Sequence, residues 1–292
     1  MGGSLWGLLG LACVWAGIRL LSDGLTVHTA PRLCEALRRW APGTGRSFAA
    51  GFGLSALVHS SSATNVIALA LLDAGALDLR CALAVVLGAN VGTTLTAQMV
   101  AWTPAGLAWP VLLGGVLLAG ARDAARRDIG RALAGVGGIL FGVQVAAAAA
   151  GPLLAEGTAR RWLAAAENPF LGVLMGALAT ALIQSSGAFT STLVGLAQQG
   201  VLTLPSALAL ALGSNVGTVS TTLWASLGVA RHARAIALFD LGFNTAGVLF
   251  ALATFPAWVH WAGHMPGGLD RQLAHMHTLF NAVTAACFFP LL

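Results

Sequence analysis

One stretch of the sequence occurs twice, and this duplication constrains the fold more than any other feature. Residues 51–101 and 176–226 align without a gap at a constant offset of 125 residues, and 20 of the 51 aligned positions are identical. The identities concentrate in a Ser-Ser pair and in the run Gly-x-Asn-Val-Gly-Thr, rather than in scattered Ala and Leu matches. Both halves of the chain therefore contain the same structural unit.

The composition places this unit in a membrane. The chain is 57% hydrophobic and only 9% charged, whereas about a quarter of the residues of a soluble domain are charged. All 15 basic residues are arginine and the formal net charge is +5. This charge reports membrane orientation rather than a nucleic-acid partner, because the arginines lie in short loops. We expect an all-α integral membrane protein surrounded by the lipid bilayer, with no nucleic-acid partner.

The serine motif separates two apolar arms, residues 48–58 and 63–72 in the first copy. At 1.5 Å per residue, each arm covers about half of a hydrocarbon core of about 30 Å. The region is therefore either one continuous spanning helix or a re-entrant hairpin with the serines at its tip. Hairpins around residues 47–75 and 169–200 leave seven full spans, at 5–21, 79–101, 107–121, 132–150, 204–228, 236–254 and 274–290.

Arginine placement distinguishes these two interpretations, since cytoplasmic loops carry an excess of basic residues. With two hairpins, the 14 loop arginines divide 11 against 3 between the two sides, and with two full crossings they divide 8 against 6. Arg19, at the end of the first span, is left out of this count. The hairpins are favoured, with the N-terminus outside and the C-terminus in the cytoplasm of a cell inner or plasma membrane.

Three full crossings in each copy, an odd number, require the second copy to be inverted. The repeat begins before residue 51, because Gly10 and Gly17 align with Gly135 and Gly142 at the same offset. We predict a first repeat over residues 1–125, an inverted second repeat over 126–254 and a C-terminal transmembrane helix within 255–292.

The serine motifs suit an anion. They stand where the second arm of each hairpin begins, and a serine there caps the helix while the free N–H groups and the positive dipole end attract negative charge. No basic side chain is expected deep in a span, so the anion would arrive with its own cations. Helix packing explains an isolated Ser-Ser pair, but two motifs in register favour a binding site. The serines are Ser60, Ser61, Ser62, Ser185 and Ser186.

Helices that break within a membrane persist where they line a cavity or bind a ligand. We predict four breaks, at the two serine tips and at the Gly-x-Asn motifs that begin at Gly88 and Gly213. Paired broken helices of inverted repeats are typical of the binding site of a secondary transporter. Neutral oxygens beside these breaks suit a small hard cation such as Na⁺. The candidates are Asn90, Thr93, Thr94, Gln184, Asn215 and Thr218.

Several titratable or polar side chains lie near the predicted spans. His59 lies in the first serine motif, titrates near neutrality and could sense or carry a proton. Asp240 lies in an apolar span, where it either pairs with nearby basic residues or takes part in coupling. Asn244 and Asn281 each follow a phenylalanine, and we expect them to form interhelical hydrogen bonds. The four histidines after residue 255 lack acidic or cysteine companions, so we expect interface residues rather than a metal site.

At these residues the sequence resembles the Na⁺/phosphate cotransporter family, whose bacterial members share a repeated Gln-Ser-Ser-Ser motif with animal type II transporters. The resemblance runs from about Gly10 to Leu292 and includes the Gly-x-Asn-Val-Gly-Thr run after each motif. It implies phosphate as the substrate, Na⁺ as the coupling ion, no other cofactor and transport rather than an enzymatic reaction.

The resemblance also assigns roles by position, with two departures. His59 stands where the family has Gln, and Gly187 stands where it has a third Ser. Both departures bear on which cation and which oxyanion the site prefers. The resemblance assigns Ser60, Ser61, Ser62, Ser185 and Ser186 to phosphate, and Gln184, Asn90, Thr93, Asn215 and Thr218 to sodium binding or to scaffolding of the site.

Our leading hypothesis is a Na⁺-coupled phosphate symporter or exporter that works by alternating access between two inverted halves. The alternative in the same class is a transporter of another small oxyanion or carboxylate, proton-coupled through His59. A membrane serine hydrolase is disfavoured, because a histidine does not reach the hydroxyl of the next residue as an oriented base and no GxSxG elbow occurs. A non-transporting scaffold would tolerate replacement of both serine pairs. A homo-oligomer stays open.

Overall fold

The computed structural model describes residues 2–26, 43–155, 158–231 and 233–292, and these residues form helices without a strand. The chain is an all-α membrane protein. The α-helices, in chain order, are α1 (Gly2–Thr26), α2 (Thr44–Val58), α3 (Ser61–Asp73), α4 (Leu79–Gly92), α5 (Leu95–Trp102), α6 (Ala108–Ala119), α7 (Ala124–Ala155), α8 (Thr158–Ala165), α9 (Pro169–Ile183), α10 (Ser186–Gln198), α11 (Leu204–Ser226), α12 (Arg234–Ala253), α13 (Phe255–Gly263) and α14 (Leu269–Phe288).

Four helical segments of the described chain are long and apolar enough to cross a membrane, and they match four of the seven predicted spans. Helix α6 has only 12 residues. Helix α11 is long enough but carries many polar residues, which are buried against other helices, and α14 begins with a charged turn. The last predicted span, 274–290, coincides with most of α14, and the shorter helix α13 precedes it. The four segments are Leu5–Leu25, Leu79–Trp102, Ala124–Ala149 and Arg234–Ala253.

Each serine motif joins two short helices at a sharp turn, which gives a first hairpin (α2 and α3) and a second hairpin (α9 and α10). His59 and Gln184 end the first arms in the left-handed conformation, with φ of 55° and 58°. The next residue is extended in both copies, with φ of −152° at Ser60 and −153° at Ser185. The two turns share one backbone conformation although their side chains differ.

Glycines allow the first arm of each hairpin to pack closely against the helix that follows the whole hairpin. A Cβ atom built at Gly88 would lie 2.0 Å from Phe48 O in α2, and one built at Gly213 would lie 2.1 Å from Val173 O in α9. The glycine one turn later in each helix meets the next turn of the same arm, so α2 is parallel to α4, and α9 to α11. The second arm therefore returns the chain. That each hairpin enters and leaves the bilayer on one face stays a prediction.

Of the two interruptions predicted inside spanning helices, one is present and the other is absent. The first repeat is interrupted at Thr93-Thr94, between α4 and α5, which is the end of the predicted motif that begins at Gly88. In the second repeat α11 is continuous through Gly213, so the predicted break there is wrong. The glycines of both motifs allow close helix contact, which small residues commonly do in membranes, instead of breaking the helix.

Helices α1 and α7, the first long helices of the two halves, pack antiparallel through glycines. Gly10, Gly17 and Gly24 of α1 face residues 146, 139 and 132 of α7. A Cβ atom built at Gly17 would lie 2.6 Å from a backbone nitrogen of α7, and one built at Gly142, its equivalent, would lie 2.6 Å from a backbone nitrogen of α1. The contact is reciprocal, as two inverted repeats would require, and the inversion itself stays a prediction.

Candidate functional site

Both serine tips line one cavity of about 330 Å³. At about 30 Å³ for each water molecule in the liquid, this volume admits a small oxyanion with part of its hydration shell. Its lining includes Ser60 and Ser62 of the first tip, Gln184 and Ser185 of the second tip, and Arg19 of α1. The fold thus brings together two motifs that are 125 residues apart in the chain.

Each tip presents the start of a helix to the cavity. Ser60 Oγ accepts a hydrogen bond from the backbone N–H of Ala63 at 3.2 Å, and Ser185 Oγ accepts one from Ala188 at 3.1 Å. The predicted capping role is confirmed for these two serines. The backbone N–H groups of the first turn have no acceptor within the helix, and helix starts of this kind attract anions through these groups and the positive end of the dipole.

The second serines of the two motifs are buried, since Ser61 is 2% exposed and Ser186 is 4% exposed. They occupy the first position of α3 and of α10. Ser62 is 6% exposed and lines the cavity. The five motif serines therefore differ in position: Ser60, Ser62 and Ser185 line the cavity, whereas Ser61 and Ser186 each occupy the first position of a helix.

Arg19 is a cation in the cavity that the sequence does not lead one to expect there. Helix α1 continues to Thr26, so Arg19 lies inside the helix rather than at its end. Its Cζ lies 5.0 Å from the centroid of the Trp15 ring, and both residues line the cavity. Arg19 therefore lies within a candidate membrane span, Leu5–Leu25, whereas the sequence alone places it at the end of one. The sequence did contain a signal for Arg19, because a charged residue inside an apolar run is a candidate functional residue in a membrane protein.

The two departures from the motif adjoin each other across the hairpins. Nδ1 of His59 lies 3.0 Å from Thr96 Oγ1 of α5. A Cβ atom built at Gly187 would lie 3.5 Å from the same Thr96 oxygen and 3.6 Å from the carbonyl oxygen of His59. These are ordinary contact distances, so a serine would fit at position 187. The His59 ring therefore contacts Thr96 of α5, the same residue that Gly187 of the second tip faces.

The five predicted sodium ligands do not converge on one place. Gln184 lines the cavity, whereas Asn90 lies beside a buried aspartate and Asn215 lines a separate small void. Thr93 is buried at the interruption between α4 and α5. The hydroxyl of Thr218 donates to a backbone carbonyl of its own helix at 2.9 Å. Of this set, Gln184 is the residue that shares a cavity with the serine tips.

Asp240 is a buried carboxylate, 2% exposed, among neutral donors. Its Oδ2 accepts from Asn65 Nδ2 at 2.9 Å and from Thr222 Oγ1 at 2.9 Å. Its Oδ1 accepts from Asn244 Nδ2 at 3.0 Å and lies 3.5 Å from Asn90 Nδ2. These donors belong to α3, α4, α11 and α12. No basic group among the described residues pairs with Asp240, so the local ion pair considered from the sequence is not found.

The two asparagines expected to bond between helices bond within their own helices instead. Nδ2 of Asn244 donates to the backbone oxygen of Asp240 at 2.9 Å, and Nδ2 of Asn281 donates to that of His277 at 2.8 Å. The helical spacing of four residues brings each amide to the preceding turn. Among the described residues, no group of three or more His, Cys, Asp or Glu side chains could hold a metal ion.

Known proteins match this chain over most of its length. The protein YqeW of Bacillus subtilis, described as uncharacterized, is 28% identical over 277 residues, which cover 94% of this chain and 90% of YqeW. The putative inorganic phosphate export protein YjbB of Escherichia coli K12 is 28% identical over 286 residues, which cover 95% of this chain and 51% of YjbB. The chain therefore spans about half the length of YjbB.

A shorter match reaches the animal transporters. The human sodium-dependent phosphate transport protein 2B is 42% identical over 84 residues, which cover 27% of this chain and 12% of that protein. No solved structure matches the chain. The family model described as Na⁺/Pi-cotransporter matches residues 14–148 and 151–265. The chain belongs to the Na⁺/Pi-cotransporter family.

Proposed function

We propose that the chain is a secondary transporter that carries inorganic phosphate across the membrane together with Na⁺. The observation that carries this proposal is the meeting of two helix starts and Arg19 at one cavity. Helix N-termini bind phosphate through free N–H groups and the dipole, and a guanidinium group matches two phosphate oxygens at once. The names of the relatives support the same substrate, since two of the three refer to phosphate export or transport.

We expect the motif serines to contribute to phosphate binding in two different ways. Ser60, Ser62 and Ser185 line the cavity, so their hydroxyl groups donate to phosphate oxygens while the first and third also cap their helices. The other two serines, Ser61 and Ser186, hold the first backbone N–H groups of α3 and α10 in position. A small dianion would thus be held by neutral donors from both halves and by one cation from α1.

Coupling to Na⁺ follows from charge balance. A phosphate with up to two negative charges exceeds the single positive charge of Arg19, and a co-transported cation offsets the difference. The side-chain oxygen of Gln184 lies at the same cavity and is available to such a cation. Asn90, Thr93, Asn215 and Thr218 stay proposed ligands or scaffold residues at a distance from it.

Alternating access follows from the duplicated architecture. Two hairpins with the same turn, one in each half, flank one cavity, and the first helices of the halves pack antiparallel and reciprocally. If the two halves are inverted as predicted, they would expose the site to one side of the membrane and then to the other, as inverted repeats do in secondary transporters. The direction of net transport depends on the gradients, so import and export are the same mechanism run in opposite senses.

Uptake of radiolabelled phosphate into proteoliposomes tests this function. Vesicles carry an inward Na⁺ gradient, a pH gradient or neither, and protein-free vesicles give the background. We expect uptake that requires Na⁺. Uptake driven by the pH gradient alone would replace Na⁺ with protons and favour coupling through His59. No uptake of phosphate under any gradient would contradict the proposed substrate and turn the test to other small oxyanions and carboxylates.

A further inference from the structure

We propose that Asp240 is the centre of a second site, which binds a monovalent metal cation next to the phosphate cavity. This inference rests on the proposed phosphate transport and extends it, by giving the coupling ion an anionic ligand. The chemical class is a small hard cation held by oxygen, and Na⁺ is the probe used below. The motivating observation is a buried carboxylate that lacks a counter-charge among the described residues.

The charge of Asp240 calls for such a partner. A buried carboxylate is unfavourable unless a positive charge or a full set of donors compensates it. Asp240 receives donors from Asn65, Thr222 and Asn244 within 3.0 Å, all of them neutral. Neutral donors satisfy the hydrogen-bonding capacity of the carboxylate but leave its net charge in place. A cation would remove that charge.

The surrounding amides supply the second observation. Asn65 and Asn244 are each 1% exposed, and Oδ1 of each is buried without a hydrogen-bond partner. Both residues turn Nδ2 toward the carboxylate, and a half-turn of the amide group would turn Oδ1 toward it instead. The oxygens of Asp240, Asn65 and Asn244, with the hydroxyl of Thr222, would then form an all-oxygen set, which is the kind that hard cations prefer.

The composition of this set selects the type of cation. One carboxylate balances one positive charge, so a divalent ion would leave an excess charge in a buried place. The absence of a three-residue His, Cys, Asp or Glu group among the described residues disfavours a transition metal. A proton on Asp240 would create a single new donor, which could serve only one of the two unpartnered amide oxygens. A monovalent metal ion can contact both.

Two helices connect this site to the phosphate cavity. Asn65 lies on α3 one turn after Ser62, and Val66 beside it lines the cavity. Thr222 lies on α11 next to Thr221, which also lines the cavity. A carboxylate of Asp240 that is not neutralised would repel a phosphate in the neighbouring cavity. A bound cation removes the repulsion, so each ligand should raise the affinity for the other by the same factor.

The test measures two bindings on the purified full chain in detergent. One is binding of ²²Na⁺ without phosphate, and the other is binding of radiolabelled phosphate at increasing Na⁺ with ionic strength held constant. We expect Na⁺ to raise the phosphate affinity of the wild type by about 5- to 150-fold, the usual range of coupling between sites. Asp240→Asn keeps the shape and removes the charge. It should lose ²²Na⁺ binding and most of the Na⁺ effect.

Matched variants separate this effect from general damage. Asp73→Asn makes the same chemical change on an exposed residue at the end of α3 and should behave as the wild type. Asn65→Ala keeps the carboxylate and removes one amide oxygen, so it should weaken ²²Na⁺ binding and move the Na⁺ dependence of phosphate binding to higher Na⁺ concentrations. This second variant keeps the inference testable if Asp240→Asn does not fold.

The outcomes distinguish this inference from the proposed function. Phosphate uptake with an unaltered Na⁺ dependence in Asp240→Asn would overturn the cation site and leave phosphate transport standing. Phosphate affinity that follows pH but not Na⁺, and does so through Asp240, would overturn it in favour of a proton. Loss of ²²Na⁺ binding in Asp240→Asn would support the cation site even if the chain carried another anion.

Discussion

The two hairpin tips have the same backbone and different side chains. The residue before the first serine is left-handed in both, although it is His59 in one copy and Gln184 in the other. The serine that follows caps the next helix in both. Two positions later the copies differ again, with Ser62 in the first and Gly187 in the second. What the copies share is therefore the pair of helix starts, which is the part that suits phosphate.

The charged residues near the tips follow the opposite pattern, because they are not duplicated. Arg19 lines the cavity from α1, and the position 125 residues later holds Gln144. Asn90 lies beside Asp240, whereas its equivalent Asn215 lines a void beside His277. Under the proposed function, the backbone shared by the two tips would hold the substrate, while the unduplicated charges of Arg19 and Asp240 would set the balance of anion and cation.

Disrupting the close helix packing that both copies share, at Gly88 and Gly213, should have the largest effect on stability. Gly88→Ala and Gly213→Ala each place a Cβ atom about 2 Å from a backbone carbonyl of the facing arm, so we expect a loss of about 3 kcal/mol or more in stability, from overpacking. The measurement is the yield and melting temperature of detergent-purified protein. Gly53→Ala is the matched control, since a Cβ there meets nothing within 4 Å. Damage in one copy alone would mean that the two packing contacts are not equivalent.

Removing the unduplicated charge of Arg19 should have the next largest effect. Arg19→Gln inserts the residue of the second copy, and the loss of a charge-assisted hydrogen bond costs about 1.5–3 kcal/mol, or roughly 10- to 150-fold in phosphate affinity. Binding of radiolabelled phosphate measures it. Arg126→Gln, at an exposed arginine of α7, should leave the affinity unchanged. Wild-type affinity in Arg19→Gln would remove the arginine from the site.

Making the tips alike should have the smallest effect. His59→Gln copies the second tip into the first, and Gln184 already holds the same left-handed turn. The loss of the hydrogen bond to Thr96 should cost about 1 kcal/mol or less, and Na⁺-driven uptake should persist. Uptake in proteoliposomes is the readout, with and without a pH gradient. A complete loss of transport would instead make His59 the coupling residue.

The parts of this account that the sequence predicts are local ones. A serine at a helix start caps that helix through an atom three residues away, so Ser60 and Ser185 could be placed from the motif alone. The duplication likewise predicts that both turns have one conformation. The hairpin is harder to predict from local sequence, but the arginine count favours it. Parallel packing of α2 with α4 requires α3 to reverse the chain direction, while re-entry into the bilayer stays a prediction.

The parts that the sequence does not predict depend on distant contacts. Glycine in the Gly-x-Asn motif indicates a break when it is considered alone, and its close approach to another backbone is visible only once α9 lies against α11. The donors to Asp240 lie as far as 175 residues from it in the chain. Arg19 joins the cavity because α1 packs beside both tips. No local pattern encodes these neighbours.

The central claim is that both tips serve one phosphate site, and equilibrium binding of radiolabelled phosphate to the purified chain tests it most directly. Ser60→Gly and Ser185→Gly remove one hydroxyl each, while glycine costs a helix cap only a few tenths of a kcal/mol relative to serine. The account predicts one phosphate per chain, bound more weakly in either variant. Two phosphates per chain, or a variant that keeps one site at full affinity, would contradict it.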